Sequence, residues 1–327
     1  MRTSRTLLAV ILVATLTAVL GACSDNRPPV HIGLITKQET NPYWVTMREV
    51  AEDTARRAGA TLTVATGSSD VDVDAQRQAL QEMVEKKVDG ILIAPTDSTA
   101  LAPEIAAARQ AGITVIALDT PMDPVETTDA YFGTDNHRAG ELVGTYAAAK
   151  VAELGETPQV AMLDLAPGIA SGEERAAGFL AGFGTTAPTA RADTQGDQQL
   201  AQQAMTELLA AHPGINVVYA VNEPAALGAV TALKDAGRDL GRVVVVSIDG
   251  GCRAMKDSVR PGDIDATAMQ FPQNMAREGV KAVVAKVREG EAPSAHLATG
   301  TELVSGSPVS GVQTRNVEYG IRTCWGS

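Results

Sequence analysis

The sequence predicts an α/β fold built from two doubly wound lobes, each with a parallel sheet. Short β-branched runs alternate with longer helical patterns, the alternation starts again midway, and several of the short runs are almost wholly apolar. An apolar run such as 90–94 is typical of a parallel strand covered by helices on both faces. Alternation of this kind favours βαβ units with right-handed crossovers.

The first lobe begins with a predicted strand at His31–Thr36 and a helix at 42–58. Asn41 can cap this helix, Pro42 suits its first position, and Gly59 suits its end because glycine tolerates left-handed backbone. The other predicted elements are strand 61–65, helix 74–86, strand 90–94, helix 103–111 and strands 114–118 and 130–133.

The pattern then repeats as helix 138–154, strand 160–165, helices 171–183 and 198–211, strand 217–221, helix 225–236, strands 243–248 and 265–269, and helix 274–288. Because no long Gly/Ser linker divides the lobes, we expect the chain to cross between them more than once. The expected lobes are 30–134 plus 271–305 and 135–270 plus 306–327, joined by a hinge of several crossings. The last forty residues are rich in Gly, Ser and Thr and predict irregular returns.

Residues 1–22 have the pattern of an export signal. Arg2 and Arg5 precede 14 residues of apolar character at 7–20, which is shorter than the roughly 20 that a membrane span needs. Leu20-Gly21-Ala22-Cys23 resembles the lipobox of bacterial lipoproteins. This resemblance implies cleavage before Cys23, lipidation of that cysteine and a tether at 23–29, with the chain anchored outside the cell membrane. The alternative is an ordinary secretory signal with a chance cysteine.

Composition excludes several classes of function. The net charge is −12 and no basic run follows Arg5, so binding to nucleic acid is not expected. The four histidines are scattered, which predicts no metal site. The sequence has no Gly-x-Gly-x-x-Gly after a strand, no P-loop and no Gly-x-Ser-x-Gly, so we expect neither an enzyme nor a cofactor. The acidic run 70–74 lacks the glycine and final glutamate of an EF-hand and predicts a solvated helix entry.

Polar residues recur where predicted strands end. Asp119, Asn222, Asp249 and Gln270 directly follow strands, and Lys37, Asn41, Tyr43 and Trp44 follow the first strand and its loop. Any one of them alone can be a helix cap or a turn former. Together they predict a crevice at the carboxyl ends of the strands, where open α/β folds bind ligands. Converging polar groups suit a small polyol.

The family resemblance rests on segments that keep one order along residues 30–290. They are Asn41-Pro42-Tyr43-Trp44, Pro95-Thr96-Asp97-Ser98, Gly133-Thr134-Asp135-Asn136, 174–179 around Arg175, Asn222-Glu223 and Ile248-Asp249-Gly250. The chain resembles sugar-binding proteins of ABC importers in the periplasmic-binding-protein type I group, which includes ribose-binding proteins. Residues 33–37 and 249–252 and the ending Cys324-Trp325-Gly326 resemble the fructose-binding branch.

This resemblance implies a ligand set. Tyr43 and Trp44 would sandwich a sugar ring. Asp119 and Asp249 would accept hydrogen bonds from hydroxyls, and Arg175 would donate hydrogen bonds from its planar guanidinium. The remaining members of the set are Lys37, Asn41, Asn222 and Gln270. The chain departs from the ribose-binding pattern at two places: Thr120 stands where that pattern has a second arginine, and Gly196 or its neighbours stand where it has a third aromatic. Two carboxylates against two cations give a net charge near zero, which suits a neutral ligand in a desolvated cleft.

We therefore expect a monomeric binding protein outside the cytoplasm. It would capture a neutral monosaccharide, with a fructose-like sugar favoured, by closure of its lobes and deliver it to an ABC permease. A binder of a signal molecule or a chemoreceptor-linked sugar sensor is the alternative. A sugar-responsive repressor core shares the fold, but this chain begins with an export signal instead of a DNA-binding helical motif.

Two cysteines remain after lipidation, and both lie in the segments that resemble the fructose-binding branch. In an oxidising compartment Cys252 and Cys324 are expected to form a disulfide that pins the C-terminal tail to the second lobe. Two free thiols are the alternative.

Overall fold

The structure, a computed structural model, describes residues 28–326. It contains two sheets of six strands, one in each lobe. The first sheet has the strand order β11-β5-β4-β3-β1-β2 and the second the order β12-β10-β9-β8-β6-β7. Every pairing is parallel except that of β12 with β10. The predicted architecture of two α/β lobes with parallel sheets is confirmed.

The strands of the first sheet are β1 (His31–Thr36), β2 (Thr61–Thr66), β3 (Gly90–Ile93), β4 (Thr114–Leu118), β5 (Ala130–Gly133) and β11 (His296–Ala298). The strands of the second sheet are β6 (Val160–Asp164), β7 (Ala190–Asp193), β8 (Val217–Ala220), β9 (Val244–Asp249), β10 (Ala266–Met269) and β12 (Glu302–Ser305). Strands β3, β4, β8 and β9 are buried along their whole length, as expected of strands with helices on both faces.

The helices of the first lobe are α1 (Pro42–Arg57), α2 (Val73–Glu85), α3 (Ala102–Gln110) and α9 (Pro272–Glu289). The helices of the second lobe are α4 (Asn136–Glu153), α5 (Ala170–Phe183), α6 (Gln198–Ala211), α7 (Glu223–Asp235), the short α8 (Cys252–Ala254) with a π-helical turn after it, and α10 (Val317–Thr323). None of the helices within residues 28–326 combines the length and apolar character that a bilayer span requires.

The chain crosses between the lobes three times, after β5, after β10 and between β11 and β12. The expected lobe boundary after residue 305 is wrong, because β12 (Glu302–Ser305) pairs with β10 in the second sheet. The expectation of irregular returns also fails for β11, β12 and α10. The sequence analysis further missed β7, whose side chains alternate between half-buried and exposed. These short strands lie at sheet edges, where little apolar surface is buried and the periodic signal is weak.

Helices α4 and α5 approach each other closely enough for their backbones to touch. A Cβ placed on Gly140 would overlap the main-chain carbonyl of Arg175, and a Cβ on Gly182 would overlap that of Glu141. Gly144 and Gly178 face the same interface with the same lack of space. Four glycines therefore permit this approach, since any larger residue would separate the helices.

Candidate functional site

One cavity lies between the lobes, at the carboxyl ends of the central strands. All nine residues that the sequence singled out for ligand contact line it, namely Lys37, Asn41, Tyr43, Trp44, Asp119, Arg175, Asn222, Asp249 and Gln270. Asp70, Leu165 and Ser171 complete the lining. The strand-end position was the signal for eight of these side chains, whereas Arg175, which lies within α5, was indicated only by the family resemblance.

The start of α1 carries three of the cavity residues. Asn41 caps the helix by accepting a hydrogen bond from the Tyr43 amide over 2.9 Å, and Pro42 occupies the first turn. The Tyr43 hydroxyl donates to Asp119 Oδ1 over 2.8 Å. Capping and lining of the cavity are therefore compatible roles for Asn41, because the cap uses only its side-chain oxygen.

Tyr43 and Trp44 do not form the expected sandwich. Their ring centroids are 4.7 Å apart with the planes at 83°, so the two rings touch edge to face. No sugar ring fits between rings in direct contact. Burial and the Asp119 carboxylate raise the pKa of Tyr43 well above its ordinary value, so its hydroxyl stays a proton donor.

Asp70 is a cavity residue that the sequence analysis missed. The run 70–74 was expected to be solvated, and Asp72 does cap α2 by accepting from the Ala75 amide over 3.1 Å. Asp70, however, is buried and accepts hydrogen bonds from Trp44 Nε1 over 3.2 Å and from Gln38 Nε2 over 3.0 Å. Burial raises the pKa of Asp70. Its position in the loop after β2 was the available signal, but the neighbouring acidic residues obscured it.

The second lobe supplies a continuous hydrogen-bonded network. Arg175 donates from Nε to Asn136 Oδ1 over 2.8 Å, from Nη1 to the Val221 carbonyl over 3.2 Å and from Nη2 to Gln270 Oε1 over 2.9 Å. Gln270 in turn donates from Nε2 to Asp249 Oδ1 over 2.7 Å. Each of these groups orients the next, which fixes the donors and acceptors that face the cavity.

The oxygen and the nitrogen of the Asn222 side-chain amide both have partners in the protein. Its oxygen caps α7 by accepting from the Ala225 amide over 3.0 Å, and its nitrogen donates to the Gly196 carbonyl over 3.1 Å. Gly196 has a positive φ of 69°, and a Cβ there would lie 2.6 Å from the Asn222 amide nitrogen. The aromatic residue that ribose-binding proteins carry in this region therefore has no room at position 196.

The two site aspartates that end strands have unusual backbone conformations. Asp119 has a φ of 63° and Asp249 a φ of 125°. Non-glycine residues adopt such angles at a cost, and they persist where the surrounding structure holds them. The Asp119 carbonyl accepts a hydrogen bond from the Tyr131 hydroxyl over 2.9 Å. Two of the four non-glycine residues with positive φ in the described part of the chain therefore line the cavity; the other two, Lys87 and Gln195, do not.

The cavity holds one more carboxylate than expected. Arg175 lies 3.6 Å from Asp119 and 4.0 Å from Asp249, while Lys37 is 1% exposed and donates to Thr120 Oγ1 over 3.2 Å. With Asp70 included, three carboxylates face two cations. The cavity therefore has one positive charge fewer than the neutral set that the sequence predicted. Burial, opposed by Arg175, raises the pKa of Asp249 to about 6.

The lobes touch at the mouth of the cavity. The Ser98 amide donates to the Gly168 carbonyl over 3.0 Å, and the Ala170 amide donates to Ser98 Oγ over 3.0 Å. Thr120 and Ser171 share a hydrogen bond of 2.9 Å between their hydroxyls. The structure is therefore a closed arrangement in which both lobes surround the cavity.

Within residues 28–326, the side chains of His, Cys, Asp and Glu form no group of three or more that could hold a metal ion. Cys252 and Cys324 lie at disulfide-bonding positions, with Cα atoms 4.9 Å apart, inside the usual range for such a bond. Cys23, the predicted lipidation site, lies outside the described residues.

Comparison with known proteins agrees with this arrangement. The ribose import binding protein RbsB of Bacillus subtilis is 29% identical over 79% of this chain and 82% of its own. The D-allose-binding periplasmic protein of Escherichia coli is 30% identical over 79% of this chain and 85% of its own. A carbohydrate transporter solute binding protein from Agrobacterium radiobacter, solved with D-arabinose, superposes with a TM-score of 0.79 at 27% identity, over 86% of this chain and 96% of its own. Residues 32–292 match the periplasmic binding protein domain family, and the chain therefore belongs to that family.

Proposed function

We propose that this protein captures a neutral monosaccharide between its lobes and delivers it to the permease of an ABC importer. The observation that carries the proposal is the set of buried hydrogen-bonding side chains, contributed by both lobes, that surrounds one cavity. The similar proteins named for ribose, allose and arabinose support a sugar as the ligand class.

The chemistry of the cavity favours a polyol. Asp119 and Asp249 present acceptors for hydroxyl groups. Arg175 has five N–H groups in one plane, and the three that bond Asn136, Val221 and Gln270 leave two for other acceptors. Three carboxylates against two cations disfavour an anionic ligand such as a sugar phosphate or a uronic acid. We further propose a fructose-like sugar within this class, because Thr120 replaces the second arginine of ribose-binding proteins and residues 249–252 resemble the fructose-binding branch.

Closure of the lobes would provide the capture step. A ligand that contacts Asp119 in one lobe and Arg175 in the other binds the closed state better than the open state and so shifts the population toward closure. The contacts of Ser98 with Gly168 and Ala170 then form across the mouth of the cavity. The closed form is the species that the permease would recognise.

A thermal-shift panel tests the ligand class. It would include fructose, ribose, allose, arabinose and glucose, with glucosamine as a cationic control and glucose 6-phosphate as an anionic control. A neutral sugar at a hundredfold excess over its Kd adds about 2.7 kcal/mol of stability, which raises the melting temperature by several degrees. No shift with any neutral sugar, or a larger shift with glucosamine or the phosphate, would contradict the proposal.

We also propose that the exported protein is lipidated at Cys23 and held at the outer face of the cell membrane. Two acyl chains on one cysteine supply the double anchor that stable attachment requires. Substitution of Cys23 by Ser should release the protein or leave it unprocessed, as cell fractionation would show. Unchanged processing and membrane retention would instead support an ordinary secretory signal.

A disulfide between Cys252 and Cys324 is proposed for the exported protein. The two residues are 72 positions apart, and closing a loop of this size stabilises the fold by about 4 kcal/mol in the chain-entropy account. Peptide mapping without a reductant would find the linked peptides. Two thiols open to alkylation in the native protein would refute the bond.

A further inference from the structure

Trp325, in the C-terminal tail, touches the main chain of two cavity residues. Its indole Nε1 donates to the Gln270 carbonyl over 3.0 Å and to the Asp249 carbonyl over 3.3 Å. The side chain is buried, with 4% of the residue exposed. One indole N–H thus bridges the ends of two neighbouring strands, β9 and β10, at the point where the chain enters the cavity.

The same ring also reaches the first lobe. It packs edge to face against Tyr43, with centroids 5.2 Å apart and planes at 87°. It belongs to the apolar cluster that contains Tyr43, Trp44 and Met275. Trp325 therefore contacts cavity residues of both lobes from behind, on the side away from the cavity.

The tail is fixed on either side of the ring. The Cys252 amide donates to the Trp325 carbonyl over 2.9 Å, and Cys324 faces Cys252 at a Cα separation of 4.9 Å. Helix α10, just before Cys324, packs against β12 and the π-helical turn of the second lobe. The indole is thus held by the same segment, 249–252, whose main chain it contacts.

We infer that Trp325 is a positioning residue of the binding site, an inference that rests on the sugar-binding function proposed above. Asp249 has a φ of 125°, a conformation that requires support from its surroundings. The indole supplies that support at the Asp249 carbonyl, orients Gln270 through its carbonyl and backs the Tyr43 ring. Trp325 thereby sets the positions of three ligand groups without touching the ligand.

Trp325→Phe is the informative variant, because it keeps an aromatic ring in the tail while it removes the N–H donor together with part of the indole ring. We expect calorimetry to show affinity for the best sugar of the panel reduced roughly fivefold, which corresponds to one lost hydrogen bond. Trp325→Ala should reduce it further. Tyr146→Phe is the matched control: Tyr146 is a fully buried aromatic of the second lobe that donates to the Ser307 carbonyl over 2.6 Å. It should lose stability and keep its affinity.

A double-mutant cycle separates positioning from general stabilisation. If Trp325 acts through Gln270 and Asp249, Trp325→Phe should cost less affinity in a Gln270→Ala background than in the wild-type protein. Equal costs in both backgrounds, or wild-type affinity in Trp325→Phe, would overturn the inference.

Hydrogen exchange in the sugar-free protein gives a readout that does not depend on the ligand. The amides of 250–252 should exchange faster in Trp325→Phe than in the wild type. In Tyr146→Phe their exchange rates should equal those of the wild type. If no sugar binds the wild-type protein, the proposed function fails while this exchange still decides the positioning role. Exchange at 250–252 that matches the wild type in Trp325→Phe would overturn that role.

Discussion

The two halves of the cavity hold their polar groups in different ways. In the second lobe, Asn136, Arg175, Gln270 and Asp249 form one chain of hydrogen bonds. In the first lobe, the polar groups fall into two separate sets. Lys37 donates to Thr120, and Asp119 accepts from both Thr120 and Tyr43. Asp70 accepts from Trp44 and Gln38 in the other set.

This difference indicates which half of the site is more sensitive to the loss of one side chain. In a network, removal of one member leaves buried donors and acceptors of the others without partners, and the cost exceeds that of one contact. In the first lobe the polar groups are divided between two sets, so removal of one side chain disturbs only the members of its own set. We therefore expect the largest losses of affinity in the second lobe and smaller, local losses in the first.

The largest expected effect follows from Arg175→Met. This change leaves Asp119 and Asp249 as buried charges without their cation, which costs about 3 kcal/mol or more, or at least a hundredfold in affinity. Calorimetry with the best sugar of the panel measures the loss. Lys37→Met, in the first lobe, is the matched comparison and should cost clearly less. An equal loss in both variants would break the contrast between the two halves.

A second effect concerns pH. Burial raises the pKa of Asp249 to about 6, and in the proposed function the ionised form is the one that would accept sugar hydroxyls. Lowering the pH from 7 to 5 protonates the carboxyl and should weaken sugar binding by about tenfold. Glu223, whose pKa burial raises to about 8, titrates above this window. Asp249→Asn should flatten the affinity profile, and a profile that stays steep would assign the titration to another group.

The same shift has the opposite sign for the sugar-free fold. Because the folded pKa of Asp249 lies above its ordinary value of 3.8, the native state binds the proton more tightly than the unfolded chain. This group's contribution to stability is therefore fully present below about pH 4 and is lost as the pH rises through about 6.

A third test uses the glycine contact between α4 and α5. Gly140→Ala, on α4, pushes against the main chain of Arg175. Gly182→Ala, on α5 about two turns beyond Arg175, pushes against the main chain of Glu141. Both should destabilise the fold by about 1–3 kcal/mol, as overpacking does. Only Gly140→Ala should also reduce affinity, by roughly fivefold, since it displaces the network. Wild-type affinity in both variants would show that Arg175 adjusts independently of its helix, and an equal loss in both would show that α5 shifts as one body.

The smallest effect is expected at the mouth of the cavity. Ser98→Ala removes the acceptor for the Ala170 amide and keeps the main-chain bond to Gly168. The loss of this one partly buried hydrogen bond, about 0.5–1 kcal/mol, should weaken affinity about threefold by disfavouring closure. Ser294→Ala, which removes an exposed hydroxyl remote from the cavity, is the control and should bind as the wild type does. A tenfold loss of affinity in Ser98→Ala would contradict the expectation that losses in the first lobe are small.

Sequence reasoning predicted the cavity lining well because strand ends are recognisable. Apolar runs end sharply before Asp119, Asn222 and Asp249, and parallel topology brings such ends to one edge. The directions of individual side chains could not be predicted from the sequence. The expected parallel stacking of Tyr43 and Trp44 fails because adjacent residues on a helix point about 100° apart.

The other misses have physical causes of the same kind. Asp70 belongs to an acidic run in which Asp72 is a helix cap, so composition alone suggested solvation for the whole run. Strand β12 carries only four residues among Gly and Ser, and its place in the second sheet depends on pairing with β10, which is a long-range contact. Local patterns carry no information about such partners.

The close contact of α4 and α5 has a mechanical consequence. Helix α4 begins just after the first crossing between the lobes, and its backbone bears directly on the backbone of α5 that carries Arg175. With no flexible side chains between them, the two helices have little compliance. If the lobes close by rotation at the hinge, as proposed above, the guanidinium would move with α5 through an arc set by the rotation angle. On this account, one rotation would both close the cavity and present its main cation, so a change in hinge stiffness would alter both together.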